Sequence, residues 1–195
     1  MTYQKLKEKI LAHLSVSEVS GAFHDGAHDE ILNSLVEASN SAQRSVASVT
    51  GSIKRRAPLS FVQCGTYFSS ELPDDFCEVC AVYSGGRRYI GGRFDVLGDC
   101  IIAADYMDAA ELIYTAYPAD ITGDDGQVLE YDDAIADIVA LGAAMNLCPT
   151  AYPGDFNRYL AIATEYDSKL SNEAISRRRG GYGRVMNTLY GRRMI

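Results

Sequence analysis

Residues 28–53 read HDEILNSLVEASNSAQRSVASVTGSI, and Ile31, Leu35, Ala38, Ala42, Val46, Val49 and Ile53 recur in that stretch at three- and four-residue steps. This spacing lines the apolar side chains along one narrow stripe of an α-helix. At ~1.5 Å per residue the helix would be on the order of 40 Å long, so most of it must lie against partner helices. Pro58 and the basic trio Lys54, Arg55 and Arg56 read as its end, because cations suit a helix C-terminus and proline cannot continue the ladder.

Upstream, Leu6, Ile10 and Leu14 at four-residue steps predict a shorter amphipathic helix over 3–14. Downstream, from 59 to about 122, short apolar runs alternate with turn residues and predict strands. Residues 76–83 followed by Gly85-Gly86 and 87–90 read as a hairpin, since paired glycines accept positive φ. Residues 100–104 are expected to return through 105–108 into 111–117 as a second pair. Pro118 and the turn cluster 122–126 close this stretch.

Helix returns over 132–147, where Ile135, Ile138, Val139 and Leu141 alternate with alanines and Gly142 small enough for close helix approach. Pro149 and Pro153 are expected to stop it. Asp155 is placed to cap a fourth helix, whose stripe of Phe156, Tyr159, Leu160, Ala163, Tyr166 and Leu170 carries it to 170 or beyond. After Arg179 the run Gly180-Gly181-Tyr182-Gly183 predicts an extended ending. The expected fold is therefore α+β: a four-helix bundle from 1–56 and 131–178, an inserted small antiparallel β module at 57–130, and an extended C-terminal tail at 179–195.

The chain has 195 residues, 47% hydrophobic and 23% charged, which suits one sizeable core and is too apolar for a disordered chain. With a net charge of −8 the molecule as a whole repels nucleic acid. The charge is uneven: Arg177, Arg178, Arg179, Arg184, Arg192 and Arg193 lie in the last nineteen residues with no acid among them. Five cysteines without framework spacing read as reduced thiols. The N-terminus lacks a signal-peptide pattern, and no apolar run is expected to cross a membrane.

Three motifs invite chemistry. His24 and His28, four apart beside Asp25 and Asp29, have the residue types of a divalent-metal site; helix-capping aspartates with solvated histidines are the simpler reading, and no third ligand is assignable. Cys77 and Cys80 have half-site spacing, but on a strand residues three apart face opposite ways and no second pair completes a zinc site. The aspartates Asp74, Asp75, Asp105, Asp108, Asp124, Asp125, Asp132 and Asp133 match no calcium loop or hydrolase motif and read as caps and turns. No metal or cofactor is therefore assigned, and the chain is read as non-enzymatic, with a metal-dependent hydrolase built on His24 and His28 as the competing class.

The arginine tail has three readings: a solvated end, a nucleic-acid arm or a docking segment. Tyr182, Val185, Met186, Leu189, Tyr190, Met194 and Ile195 are interleaved with the arginines, and a solvated end has no need of such anchors. Docking is favoured, through Arg177, Arg178, Arg179, Tyr182, Arg184, Leu189, Tyr190, Arg192, Arg193 and Ile195, with arginine forks suited to carboxylates.

In its order of elements the chain resembles the tailed-phage head-to-tail connectors, the adaptor or head-completion family of the tail-tubular-protein-A kind. The phrases carrying the likeness are Leu72-Pro73-Asp74-Asp75-Phe76, Tyr114-Thr115-Ala116-Tyr117-Pro118-Ala119-Asp120, Asp155-Phe156-Asn157-Arg158-Tyr159 and Glu165-Tyr166-Asp167-Ser168-Lys169-Leu170. The resemblance implies a homo-oligomeric ring, typically of twelve subunits, in the neck of a virion assembled in the host cytoplasm. It implies docking under a portal protein by the C-terminal tail, a downstream tail or nozzle protein below, and DNA passing through the lumen without sequence specificity or membrane contact. The Gly85-Gly86-Arg87-Arg88-Tyr89 turn is the expected tail-side contact.

Overall fold

This computed structural model describes residues 1–15, 27–89 and 94–190, with side chains for 1–15, 30–88 and 94–177. The chain divides into two compact units: a helical unit of residues 1–52 and 118–195, and a β unit of residues 53–117.

The helical unit is built on α1 (Tyr3–His13), α2 (Ala27–Thr50), α3 (Asp133–Ala151) and α4 (Phe156–Tyr190). Helix α3 lies at its centre, packed by α1, α2 and α4. Its buried residues run all the way round, from Ile135 through Ala140 and Leu141 to Cys148. That explains a 19-residue segment long and apolar enough to cross a membrane by length and composition alone, contrary to the expectation that no such run exists. Gly142 sits where a Cβ would come 3.0 Å from the Tyr166 ring and 3.2 Å from the Ala42 Cβ, so its missing side chain sets how closely the three helices approach. Of the predicted stripe of α2, Ile31, Leu35, Ala38, Ala42 and Val46 are in the core, whereas Val49 is exposed and Ile53 lies beyond the helix, packed against the core of the β unit.

Residues 118–131 belong with the helices, contributing Ile121, Leu129 and Tyr131 to the same core. Asn40 fastens them by accepting from the Ile121 N–H at 2.8 Å and donating to its carbonyl at 3.0 Å, as a neighbouring strand would. Gln43 donates to the Ala119 carbonyl at 3.1 Å one turn further on.

Helix α2 stops at Thr50 because Gly51 turns left-handed at φ 56°, closing on the Ala47 carbonyl at 2.9 Å. The basic trio and Pro58 do not end it. They form an edge strand, where a proline with no N–H to give is tolerated. Helix α3 runs past Pro149 to Ala151, because a proline in the last turn removes only one ladder bond.

Among its described residues the β unit holds eight strands in two antiparallel sheets. The first has the order β1 (Lys54–Leu59), β8 (Ala110–Ala116), β4 (Phe76–Ser84), β5 (Arg87–Tyr89); the second has the order β2 (Val62–Cys64), β3 (Tyr67–Glu71), β7 (Cys100–Ala103), β6 (Phe94–Leu97). Its core is Leu59, Phe61, Val82, Ile101, Ala103, Met107, Leu112 and Tyr114. The expected four-helix bundle with a small β module is thus wrong: among the described residues the strands make a two-sheet unit of four strands each, with a core of its own. The expected hairpin of residues 100–104 with 111–117 is also wrong, since β7 and β8 lie in different sheets. The short strands β2 and β6 show too little alternation to be read, and the charges of β1 disguised it as a helix end.

The tail is corrected as well. Residues 179–190 are not extended but continue α4. Glycine costs about 1 kcal/mol per position in a helix, yet the preceding turns are already packed, and propagation from a formed helix avoids the cost of nucleation.

Candidate interaction surfaces

Helix α4 is held by one stripe, Ile162, Tyr166 and Ala174, with Leu170 half-buried. Asp155 starts it, accepting from the Arg158 N–H at 3.1 Å, and the Arg158 guanidinium lies 3.8 Å over the Tyr152 ring. Elsewhere along the helix Phe156 is 69%, Leu160 50% and Ile175 48% exposed, and the sequence stripe had assigned the first two of these to the core. A shallow open depression on this helix is lined by Leu160, Ala161, Thr164, Glu165, Ser168 and Lys169.

Of the predicted docking arginines, Arg177 is engaged at home. Its Nε donates to Glu173 at 2.6 Å and its Nη2 to Asp132 at 2.8 Å. Asp132 is also the N-cap of α3, accepting from the Ile135 N–H at 3.0 Å. That backbone donation, with Arg177 adding to it against the burial cost, holds the Asp132 carboxyl below its usual range. The Arg177–Asp132 pair also marks a level: here α4 has come alongside the start of α3. Beyond it, residues 178–190 carry the helix roughly 20 Å further at ~1.5 Å per residue. Arg178, Arg179, Tyr182, Arg184, Leu189 and Tyr190 lie on that backbone with side chains outside the described set, and Arg192, Arg193 and Ile195 lie outside the described residues.

In the β unit, Gly85 at φ 55° and Gly86 at φ 76° make the tight turn from β4 to β5, and Ser84 pairs with Arg87. Both glycines need the left-handed region, which matches the twist of a two-residue hairpin. Arg87 and Arg88 are exposed at the tip, Arg88 reaching back to the Cys80 carbonyl at 3.3 Å; the side chain of Tyr89 is outside the described set. An open depression lies beside the turn, lined by Arg56, Pro58, Tyr83, Gly86 and Glu111.

Cys77 and Cys80 are each the surplus residue of an irregularity in β4, where Phe76 and Glu78 face Ala116 and Thr115, and Val79 and Ala81 face Tyr114 and Ile113. Strict alternation, the ground for reading the two thiols as divergent, is broken at both positions. Both are half-buried free thiols, and burial raises the Cys80 pKa. Among the described residues no three His, Cys, Asp or Glu side chains are placed to hold a metal ion. His24 and the His28 side chain lie outside the described set.

Two features of the surface were not legible in sequence: the exposed face of α4 and the open edges of the second sheet. Val62 is 65% and Leu97 68% exposed there. Neither edge strand is long enough to show a period. The sequence matches no protein-family model and no curated protein.

Proposed function

We propose that this chain is a structural subunit of a tailed-phage neck, a ring-forming head-to-tail adaptor that docks beneath the portal and passes DNA through its lumen. The observation that carries the reading is the length of α4: a single helix runs on past the start of its packing partner into a segment rich in arginine and free of acids. A helix of that kind is suited to insertion between other subunits, with arginine forks for carboxylates and Tyr182, Leu189 and Tyr190 as anchors. The order of elements adds support, with helices at both ends of the chain and strands between, as in the connector family it resembles. The acidity of the remaining chain suits a channel wall, because anions facing a phosphate backbone let DNA slide where a basic lining would hold it. The docking segment in this reading is helical; Arg177 serves the subunit's own fold, and docking is assigned to Arg178, Arg179 and Arg184.

Ending the chain after Arg179 tests this. The truncated protein is expected to keep the melting temperature of the full chain, since Ala174 and Arg177 are retained, and to lose co-sedimentation with portal rings of the same particle. Truncated protein that joins the portal as the full chain does overturns the assignment.

A further inference from the structure

The two sheets of the β unit treat their edges in opposite ways. The first is guarded: β1 presents Lys54, Arg55, Arg56 and Pro58, and β5 presents Arg87 and Arg88. Proline and like charge are the usual devices by which an edge refuses a further strand. The second sheet has neither. Its edge β2 is Val62-Gln63-Cys64, uncharged and exposed throughout, and its edge β6 is Phe94-Asp95-Val96-Leu97, with one acid. Side by side, the edges of the first sheet would set cation against cation, whereas those of the second set neutral apolar strand against a strand with a single anion.

Strand direction points the same way. The second sheet is antiparallel at every step, β2 to β3 to β7 to β6. Four such strands leave the two edges antiparallel to each other. A copy placed alongside in the same orientation therefore brings its β2 antiparallel to the first copy's β6. Rotation about a ring axis preserves each strand's direction along that axis, so a ring continues the alternation from copy to copy without a break. The faces match as well. Register and alternation put Val62, Cys64, Tyr67, Asp95 and Leu97 on one face of the sheet, and Phe68, Ile101, Ala103 and Phe94 on the buried one.

We infer that β6 of one subunit pairs antiparallel with β2 of the next, joining the second sheets of neighbouring copies into one belt. The inference rests on the ring reading above and names the contact that closes it. With strands of three and four residues the pairing is weak at any one junction and gains from repetition around the ring.

Cys64 supplies a native probe, being the one exposed thiol of the five while Cys148 is buried and the others half-buried. Asp95→Cys and Leu97→Cys, each made singly in the full chain, place a second thiol on the same face of the opposite edge. Purified protein at high concentration is oxidised with copper–phenanthroline, run on a non-reducing gel and imaged by negative stain. A ladder of dimers, trimers and larger species is expected from at least one variant, with loss of the ladder when Cys64→Ser is added. Closed rings without a ladder, or a ladder that survives Cys64→Ser, overturn the edge pairing and leave the ring standing. A Cys64-dependent ladder without closed rings keeps the pairing and removes the ring, and the absence of both removes both. Leu97→Lys, at a site already 68% exposed, is expected to keep the melting temperature and shift ring formation to at least tenfold higher concentration.

Discussion

Tyr114 on β8 donates its hydroxyl to Asp75 Oδ1 at 2.9 Å, while Arg55 on β1 pairs with the other oxygen of the same carboxylate. One carboxylate thereby ties together both ends of the inserted unit and the entrance to β4. Burial first, and then the hydrogen bond to Asp75, pushes the Tyr114 pKa up to about 12. The folded state thus prefers the protonated phenol. Its contribution is fully present below the unfolded tyrosine value of about 10 and is lost as pH rises from there through about 12. Urea titrations at stepped alkaline pH are expected to show the β unit weakening across that window. Tyr114→Phe should cost about 1–2 kcal/mol at neutral pH and flatten this part of the alkaline fall. Equal alkaline slopes in the two proteins would remove Tyr114 as the cause. None of this was visible in the sequence, where Asp75 read as a cap or turn residue and Tyr114 only as part of an expected strand.

Among elements, legibility followed length. Helix α2 was readable because six apolar residues from Ile31 to Val49 repeat one period over nineteen positions, and α1 because three do so over nine. Asp132 and Asp155 were readable as caps because their position just before a periodic run has one common use. Of the strands, β4 and β5 with their Gly85-Gly86 hairpin, β7 and β8 were readable, whereas β1, β2, β3 and β6 were not, and the pairing between distant segments leaves no local mark. The face of α4 was half readable: Tyr166 is buried as its stripe requires, whereas Phe156 and Leu160 are exposed. The start of α3 offers a test at this scale. Asp132→Ala is expected to cost about 1 kcal/mol by removing the cap, and Asp132→Asn only a few tenths, because asparagine still caps and the lost ion pair with Arg177 is solvent-screened. Thermal melts at pH 7 distinguish the two, and equal losses would make the ion pair, not the cap, the stabilising contact. Because the Asp132 pKa is lowered in the folded state, the wild-type advantage is present above the unfolded value of about 3.9 and is expected to fade as pH drops below it.

At the scale of the whole molecule, the chain leaves the helical unit after Ser52 and rejoins it at Pro118. The two crossings lie side by side: Lys54 faces Thr115 in the β1–β8 ladder, and the Ala116 N–H donates to the Ile53 carbonyl at 3.0 Å. Neighbouring strands stand about 5 Å apart, a gap that a few flexible residues span. Replacing residues 53–117 with a short glycine–serine linker is expected to leave a helical protein with a cooperative melt, since the core of α1, α2, α3 and α4 with residues 118–131 is kept whole. Gradual, non-cooperative melting of that protein would show that the helical core depends on the insert. A segment that departs and returns through one hydrogen-bonded gateway is open to wholesale exchange, because recombination at those two points can install a foreign insert of any size without disturbing helix packing. Natural variants of this scaffold are then expected to diverge by swapping everything between the two crossing points, and to be conservative about additions inside α2 or α3.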